Sequence, residues 1–329
     1  LGVPTTRLAP SPTGALHLGN VRTFLITWAL ARRFGWRIVL RIEDLDTPRV
    51  KSQTIALTED LLTWLGLSWE GEVVLQSRMR DAHVLAMQQL ASRSCVFPSP
   101  KLRSEGLATE APQSAPNEGA HEMRFGPELR PPTRPSEFTD DAPTWRFATP
   151  NETIEFTDLF AGPQRVCPAS TVGDFVVWSK REGSPLGQAA YQLAVVVDDA
   201  AAGVTHVVRG NDLIDSTGRQ LLLLRELGLP APAYVHVPLV RGSDGKRLAK
   251  RHGDTRLDAY RARGVRAERV VGLMAAWCGV LPREQPQEMA LAEFVERFSL
   301  ATLSQEDVVY GPQDEAWLLG ESQRSGGTR

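Results

Sequence analysis

The chain has 329 residues, 42% hydrophobic and 23% charged, enough for one elaborated domain or two smaller ones with a sizeable core. A net charge of −2 excludes a chain-wide pull on nucleic acid, so any polyanion site is a local patch. No apolar run approaches the roughly 20 residues of a membrane helix, no signal peptide is visible, and the three scattered cysteines, Cys95, Cys167 and Cys278, suit a reducing cytoplasm rather than a disulfide framework.

Thr5 to Ala9 reads as a first strand. A turn through Pro10-Ser11-Pro12-Thr13-Gly14 leads to a helix that starts near His17 and runs to Phe34, with Val21, Phe24, Leu25 and Trp28 on one face and Gly35 as its stop. Trp36–Ile42 is an apolar run suited to a buried parallel strand. Helices follow at about Ser52–Leu65 and Ser77–Ala91. The alternation breaks near Cys95, and Pro98 to Pro143, rich in Pro, Ser, Thr and Glu, reads as a loop-dominated insertion. Short strands are predicted at Thr144–Ala148, Thr153–Phe156 and Phe175–Ser179. Strands at Tyr191–Val197 and Val204–Val208, a helix around Ser216–Glu226 and a strand at Val235–Val240 resume the alternation. Helices at Leu257–Arg263 and Ala267–Cys278 precede a polar tail, Glu321 to Arg329.

These elements predict an α/β fold: a Rossmann-type doubly wound parallel sheet, split by an α+β insertion and followed by a short helical C-terminal region. The expected divisions are 1–94 for the first half of the sheet domain, 95–190 for the insertion, 191–245 for the second half, and 246–329 for a basic loop and helical region. Ligands of such a sheet bind beyond the carboxyl ends of its strands.

The chemistry sits at those ends. His17-Leu18-Gly19-Asn20 opens the first helix, where backbone N–H groups can meet an anion and an imidazole can follow charge onto a phosphate. About 230 residues downstream, Gly245-Lys246-Arg247-Leu248-Ala249-Lys250-Arg251-His252-Gly253 is a basic loop. Together the two segments point to a site that closes on a nucleoside triphosphate, although a basic run can equally be an exposed cationic turn. Arg7, Ser11 and Glu43 would meet at the same rim, with Arg7 suited to a carboxylate and Glu43 to an ammonium. A solvated strand end is the plainer account of Arg41–Asp46. Arg209, next to Gly210 at a strand end, can fork onto a second carboxylate, and Tyr191 opens the strand before it. The same spacing fits an ion pair of Arg209 with Asp198, Asp199 or Asp212. Cys95, His121 and Cys167 are too dispersed for a zinc spacing, and His83, His206, His236 and His252 read as isolated packed or surface histidines.

Taken together, these segments resemble the glutamate branch of the class I aminoacyl-tRNA synthetases. His17–Asn20 is similar to that class's HIGH signature, and Arg247–Arg251 to its KMSKS signature, with Lys250 as the second lysine and Ala249 in place of the serine. Pro10–Gly14 and Arg41–Asp46 are close to glutamyl rather than glutaminyl forms. Tyr191–Asp199 and Val204–Thr217 resemble most closely the glutamyl-queuosine tRNA(Asp) synthetase subfamily. Only about 75 residues follow the basic loop, too few for the large anticodon-binding region of a glutamyl-tRNA synthetase. The resemblance implies ATP-dependent activation of L-glutamate to glutamyl-adenylate, with Mg²⁺ accompanying ATP. Transfer then goes to the queuosine base in the anticodon stem-loop of tRNA(Asp), by a cytoplasmic monomer with no membrane partner. It assigns glutamate binding to Arg7, Leu8, Ala9, Pro10, Ser11, Glu43, Tyr191 and Arg209. It assigns ATP binding to His17, Gly19, Asn20 and Lys250, with His17 and Lys250 catalytic. Many members of the subfamily bind zinc through a Cys-x-Cys in the insertion. Phe97–Lys101 carries no cysteine, so no structural zinc is expected. The competing readings are a truncated glutamyl-tRNA synthetase charging the 3′ end of tRNA(Glu), and a catalytically silent paralogue that binds glutamate or nucleotide.

Overall fold

The computed structural model describes residues 2–12, 16–45, 52–99, 124–141, 144–180, 184–246, 248 and 255–320. In chain order its first elements are β1 (Thr5–Leu8), α1 (Leu18–Phe34), β2 (Arg37–Ile42), α2 (Ser52–Trp64), β3 (Val74–Leu75) and α3 (Arg80–Ser92). Next come β4 (Val96–Ser99), β5 (Thr144–Phe147), β6 (Ile154–Asp158), β7 (Gly162–Val166), α4 (Pro168–Thr171), β8 (Val176–Lys180) and β9 (Gly187–Ala189). They are followed by α5 (Tyr191–Ala201), β10 (His206–Gly210), α6 (Ile214–Leu227), β11 (Ala233–Val237) and β12 (Val240–Arg241). The last are α7 (Leu257–Ala262), α8 (Ala267–Trp277), α9 (Leu291–Arg297), β13 (Val308–Val309) and α10 (Pro312–Leu319).

Strands β1, β2 and β3 pair in parallel, and so do β10 and β11. The two groups are joined at the Thr5–Thr205 step, where Thr205 N–H donates to Thr5 O at 2.8 Å and Thr5 N–H to the Thr205 hydroxyl at 2.9 Å. Farther along, Arg7 donates to Val208 O, so β1 and β10 run the same way. The spatial order is therefore β3-β2-β1-β10-β11, the parallel α/β sheet expected. Helix α1 stands where its sequence puts it. Its stop, Gly35, has φ +66°, a left-handed conformation in which a side chain is strained, and donates its N–H to Ala31 O.

Leu18, Val21, Leu25, Ile26 and Leu30 of α1 are buried between the sheet and the C-terminal helices, where they meet Val270, Leu273, Met274 and Trp277 of α8 and Phe294 of α9. Each fully buried side chain of this size contributes about 1.5–3 kcal/mol. Between β3 and β10 the chain builds an antiparallel sheet, β4-β5-β8-β9, and a separate hairpin, β6-β7. A second core lies under that sheet, formed by Trp145, Phe147, Phe175, Trp178 and the inner faces of α3, α5 and α6.

One predicted element is wrong in type. Tyr191–Val197 is the start of helix α5, not a strand. Every residue from Tyr191 to Asp199 is buried, so no polar stripe marks the helical period. The run Val195–Val197 then mimics a buried strand. Predicted Val235–Val240 also divides into β11 and β12. All three cysteines are free. Among the described residues no helix is long and apolar enough to cross a membrane.

Candidate active site

The carboxyl ends of β1, β2, β10 and β11 carry the side chains expected there. Arg7 is the third residue of β1, Glu43 directly follows β2, and Arg209 is the penultimate residue of β10. Ser11, in the turn after β1, lies against Glu43: its hydroxyl donates to Oε2 at 3.4 Å, while Glu43 N–H donates to Pro10 O at 3.0 Å. Leu8 is fully buried in β1, so it and Ala9–Pro10 can offer a ligand only backbone groups or wall.

The charges form a buried chain. Arg41 donates through Nη1 to Asp199 and through Nη2 to Glu43 Oε1 at 3.2 Å. Arg7 donates from Nε to Asp199 Oδ1 at 3.3 Å and from Nη1 to Val208 O at 3.3 Å. Its Nη2 makes no hydrogen bond among the described residues. Burial disfavours the Asp199 charge, but Arg41 and Arg7 outweigh it and hold its pKa below the ordinary carboxylate value. Glu43 goes the other way: burial raises its pKa and the same two arginines only moderate the rise. An incoming ammonium would favour ionised Glu43.

Arg209 differs from the simple expectation. It makes no salt bridge with Asp198, Asp199 or Asp212. Of the acids weighed as its pair, Asp199 belongs to Arg7 and Arg41, and Asp198 is held by His83 at 2.8 Å and Gln76 at 2.7 Å. Nor is the Arg209 guanidinium an open fork. Nε donates to His236 Nε2 at 3.0 Å, Nη1 to Gln220 Oε1 at 2.9 Å, and Nη2 to the Thr217 hydroxyl at 2.7 Å and Leu213 O at 3.3 Å. One Nη1 N–H is left of its five. The guanidinium carbon lies 5.2 Å from the Tyr234 ring centroid. Tyr191, at the first turn of α5, packs with Val195 and Leu213 on the same side of the sheet end. Arg7 and Arg209 both act electrostatically on Asp199 and on His236, so the two arginines converge. A cavity of about 160 Å³ backs onto this network and is lined in part by Asp199, Gln220 and Tyr234.

The second half of the site gathers at the start of α1. His17 is extended and precedes the first helical turn, with Asn20 Oδ1 accepting its N–H at 3.4 Å. Space at Gly19 is tight: a Cβ there would sit 3.1 Å from Cε1 and Nδ1 of the His17 ring, so a larger residue would make the imidazole shift by a few tenths of an ångström. Leu18 N–H donates to Thr255 O at 3.2 Å and Leu257 N–H to Leu16 O at 2.8 Å, a short antiparallel bridge that places Arg256 opposite His17. Of the first three helical N–H groups, only that of Gly19 has no partner among the described residues. Within the basic segment, buried Leu248 donates its N–H to O of Val240, on the upstream flank, at 2.9 Å. Val240 Cβ would stand 3.7 Å from a Gly19 Cβ. Buried Arg22 ties α1 to the same region through Pro238 O at 2.5 Å. Both flanks of the basic segment therefore reach the first turns of α1. Lys250 itself lies outside the described residues.

Sequence reasoning missed Arg41, Asp199, Asp158 and His236 as parts of this site. Arg41 is visible in the sequence only as a member of a charged run, and Asp199 only as one of three acids weighed as a partner of Arg209. His236, which the sequence suggests is an isolated packed or surface histidine, is packed, and its ring is hydrogen-bonded to Asp158 and Arg209.

A family model described as tRNA synthetases class I (E and Q), catalytic domain, matches residues 4–310. A glutamyl-Q tRNA(Asp) synthetase of Symbiobacterium thermophilum is 44% identical over 327 residues, covering 95% of this chain and 98% of its own. One of Rhodopirellula baltica is 40% identical, covering 92% and 95%. A glutamate–tRNA ligase of a Synechococcus strain is 34% identical over 96% of this chain and 67% of its own length. In fold, the crystal structure of the glutamate-tRNA synthetase of Elizabethkingia anophelis matches with a TM-score of 0.76 at 24% identity, over 96% of this chain and 70% of that one.

Proposed function

This chain belongs to the class I tRNA synthetases of the E and Q type, and from that premise we propose that it activates L-glutamate with ATP and transfers the glutamyl group to the queuosine base in the anticodon stem-loop of tRNA(Asp). The relatives at 44% and 40% identity described above carry that activity in their names.

In the first step an oxygen of the glutamate α-carboxylate attacks the α-phosphorus of ATP, and the bond to the β-phosphate bridging oxygen breaks as pyrophosphate leaves. In the second, a hydroxyl of the modified base attacks the acyl carbon, an ester forms, and AMP leaves. No covalent enzyme intermediate is needed, so the protein supplies position and charge. Arg7 Nη2 and Ser11 take the α-carboxylate end, Glu43 the ammonium, and the remaining Arg209 N–H, with Tyr191, the side-chain carboxylate. Leu8, Ala9 and Pro10 wall the pocket. His17, the Gly19 N–H, Asn20 and Lys250 hold the phosphates, with Mg²⁺ entering as part of the ATP substrate. The reading involves no structural zinc, and the protein acts as a monomer in the cytoplasm.

The observation that carries the reading is the bridge between Leu16–Leu18 and Thr255–Leu257, which brings the flank of the basic segment to the histidine that opens α1. Glutamate-dependent ATP–pyrophosphate exchange tests the first step, and labelled glutamate offered with tRNA(Asp) with and without queuosine tests the second. Exchange followed by label on queuosine-containing tRNA(Asp) only is expected. Label on the 3′ end of tRNA(Glu) would favour the activity named in the 34% identical relative, and absence of exchange would refute activation altogether.

A further inference from the structure

An arginine that is to receive one carboxylate among many anions must have its guanidinium plane fixed, because a free side chain of this length carries about 2 kcal/mol of rotamer entropy. Arg209 is held through Nη1 and Nη2 by Gln220, Thr217 and Leu213 O, and through its Nε–H, which donates to His236 Nε2 at 3.0 Å. An imidazole accepts there only when it is neutral and carries its proton on Nδ1. Asp158 selects that tautomer. Its Oδ2 lies 2.7 Å from His236 Nδ1 and 3.1 Å from the His236 backbone N. Its Oδ1 accepts from Phe160 N–H at 2.9 Å and Ala161 N–H at 2.7 Å, so the carboxylate is itself immobilised in the β6–β7 turn. Both side chains are fully buried. The Thr217 hydroxyl, which accepts from Arg209 Nη2, lies 3.2 Å from His236 Nε2 and closes the ring of contacts. Burial keeps His236 neutral, against the pull of Asp158.

We propose that Asp158 and His236 are positioning residues for glutamate recognition: the Asp158 carboxylate sets the His236 tautomer, and His236 Nε2 sets the orientation of the Arg209 guanidinium toward the side-chain carboxylate of the substrate. The proposal rests on the reading of Arg209 given above. It also makes hairpin β6-β7, part of the stretch inserted between the two groups of parallel strands, a working part of the amino-acid pocket.

The test uses the full chain and two substitutions that separate the ring nitrogens. H236Q places an amide oxygen near the Nε2 position, keeping an acceptor for Arg209 and losing the Asp158 contact. H236N places an amide nitrogen near Nδ1, keeping the Asp158 contact and losing the acceptor. In glutamate-dependent exchange, H236N should raise the glutamate KM about 10- to 100-fold, the range for a hydrogen bond to a charged group. Its ATP KM and kcat should stay within about threefold, and H236Q should stay within about threefold in all three. Equal rises in the two variants would overturn the proposal, since a merely structural histidine does not distinguish its nitrogens. Should either variant fail to fold, ¹⁵N-histidine spectra of the unsubstituted protein decide: a neutral ring protonated on Nδ1 is expected, and protonation on Nε2 would overturn it. R209A separates the two levels. An unchanged glutamate KM in R209A would remove Arg209 from recognition and leave the tautomer result standing as packing alone.

Discussion

Asp199→Asn probes the charge chain directly. Asp199 accepts from two buried arginines, Arg41 through Nη1 and Arg7 through Nε at 3.3 Å, and the three side chains are 10%, 1% and 6% exposed. At such burial solvent screens little, and removing one partner of a buried pair costs about 3–5 kcal/mol. The amide keeps the shape but turns an N–H₂ group or a weak oxygen toward two guanidinium groups, of which Arg41 keeps Glu43 while Arg7 is left without a carboxylate among the described residues. Against a typical total of about 5–15 kcal/mol the loss is large, and it corresponds to a fall in Tm of about 4–7 °C for a chain of this length. Urea unfolding with and without saturating glutamate is the assay. Glutamate should restore more stability to the variant than it adds to the parent chain, because its α-carboxylate brings a negative charge back to Arg7. A variant within 1 kcal/mol of the parent, or one that gains nothing extra from glutamate, would refute the idea that these arginines depend on Asp199.

Gly19→Ala should leave the melting temperature unchanged or slightly raised, since alanine favours a helix by up to about 1 kcal/mol. The new Cβ nevertheless presses on the His17 ring, so exchange should slow about 10- to 100-fold; rapid exchange would mean that the imidazole position is not critical. Lys250→Ala should slow activation about 100- to 1000-fold with the glutamate KM little changed, as measured by single-turnover adenylate formation, and an unchanged rate would remove it from the mechanism. The pKa of His236 is lowered by burial from 6.5 to about 4, so between those values the unfolded chain binds a proton that the folded chain does not. Its contribution to stability is therefore complete above about pH 6.5 and is lost as pH falls through about 4, up to about 3 kcal/mol in all. Unfolding curves across that range should be less steep in pH for H236Q than for the parent chain.

The sheet was legible because local signals agreed. Thr5–Leu8, Leu18–Phe34 and Arg37–Ile42 carry strand, helix and strand patterns separated by a Pro/Gly turn and by Gly35. Helix α5 was not, because burial on every side erased the period that distinguishes a helix from a strand. The site shows the same division. Arg7, Glu43 and Arg209 were readable as charges at strand ends. Their partners were not, since Arg7 meets Asp199 across 192 positions and His236 meets Asp158 across 78, and no local spacing encodes such pairs. The openness expected of Arg209 failed for a different reason: Leu213, Thr217 and Gln220, 4, 8 and 11 positions on, and His236, 27 positions on, occupy four of its five donors, and none of them is an acid that would mark it as a partner.

The bridge between Leu16–Leu18 and Thr255–Leu257 links positions about 240 residues apart. Contacts of such separation form late, after the loop-closure entropy of everything between them has been overcome. On the ribosome β1 and α1 emerge long before Leu257, so the nascent chain gains the segment that faces His17 only when synthesis has passed that residue. A polypeptide interrupted anywhere before that point would carry the histidine without the segment that faces it.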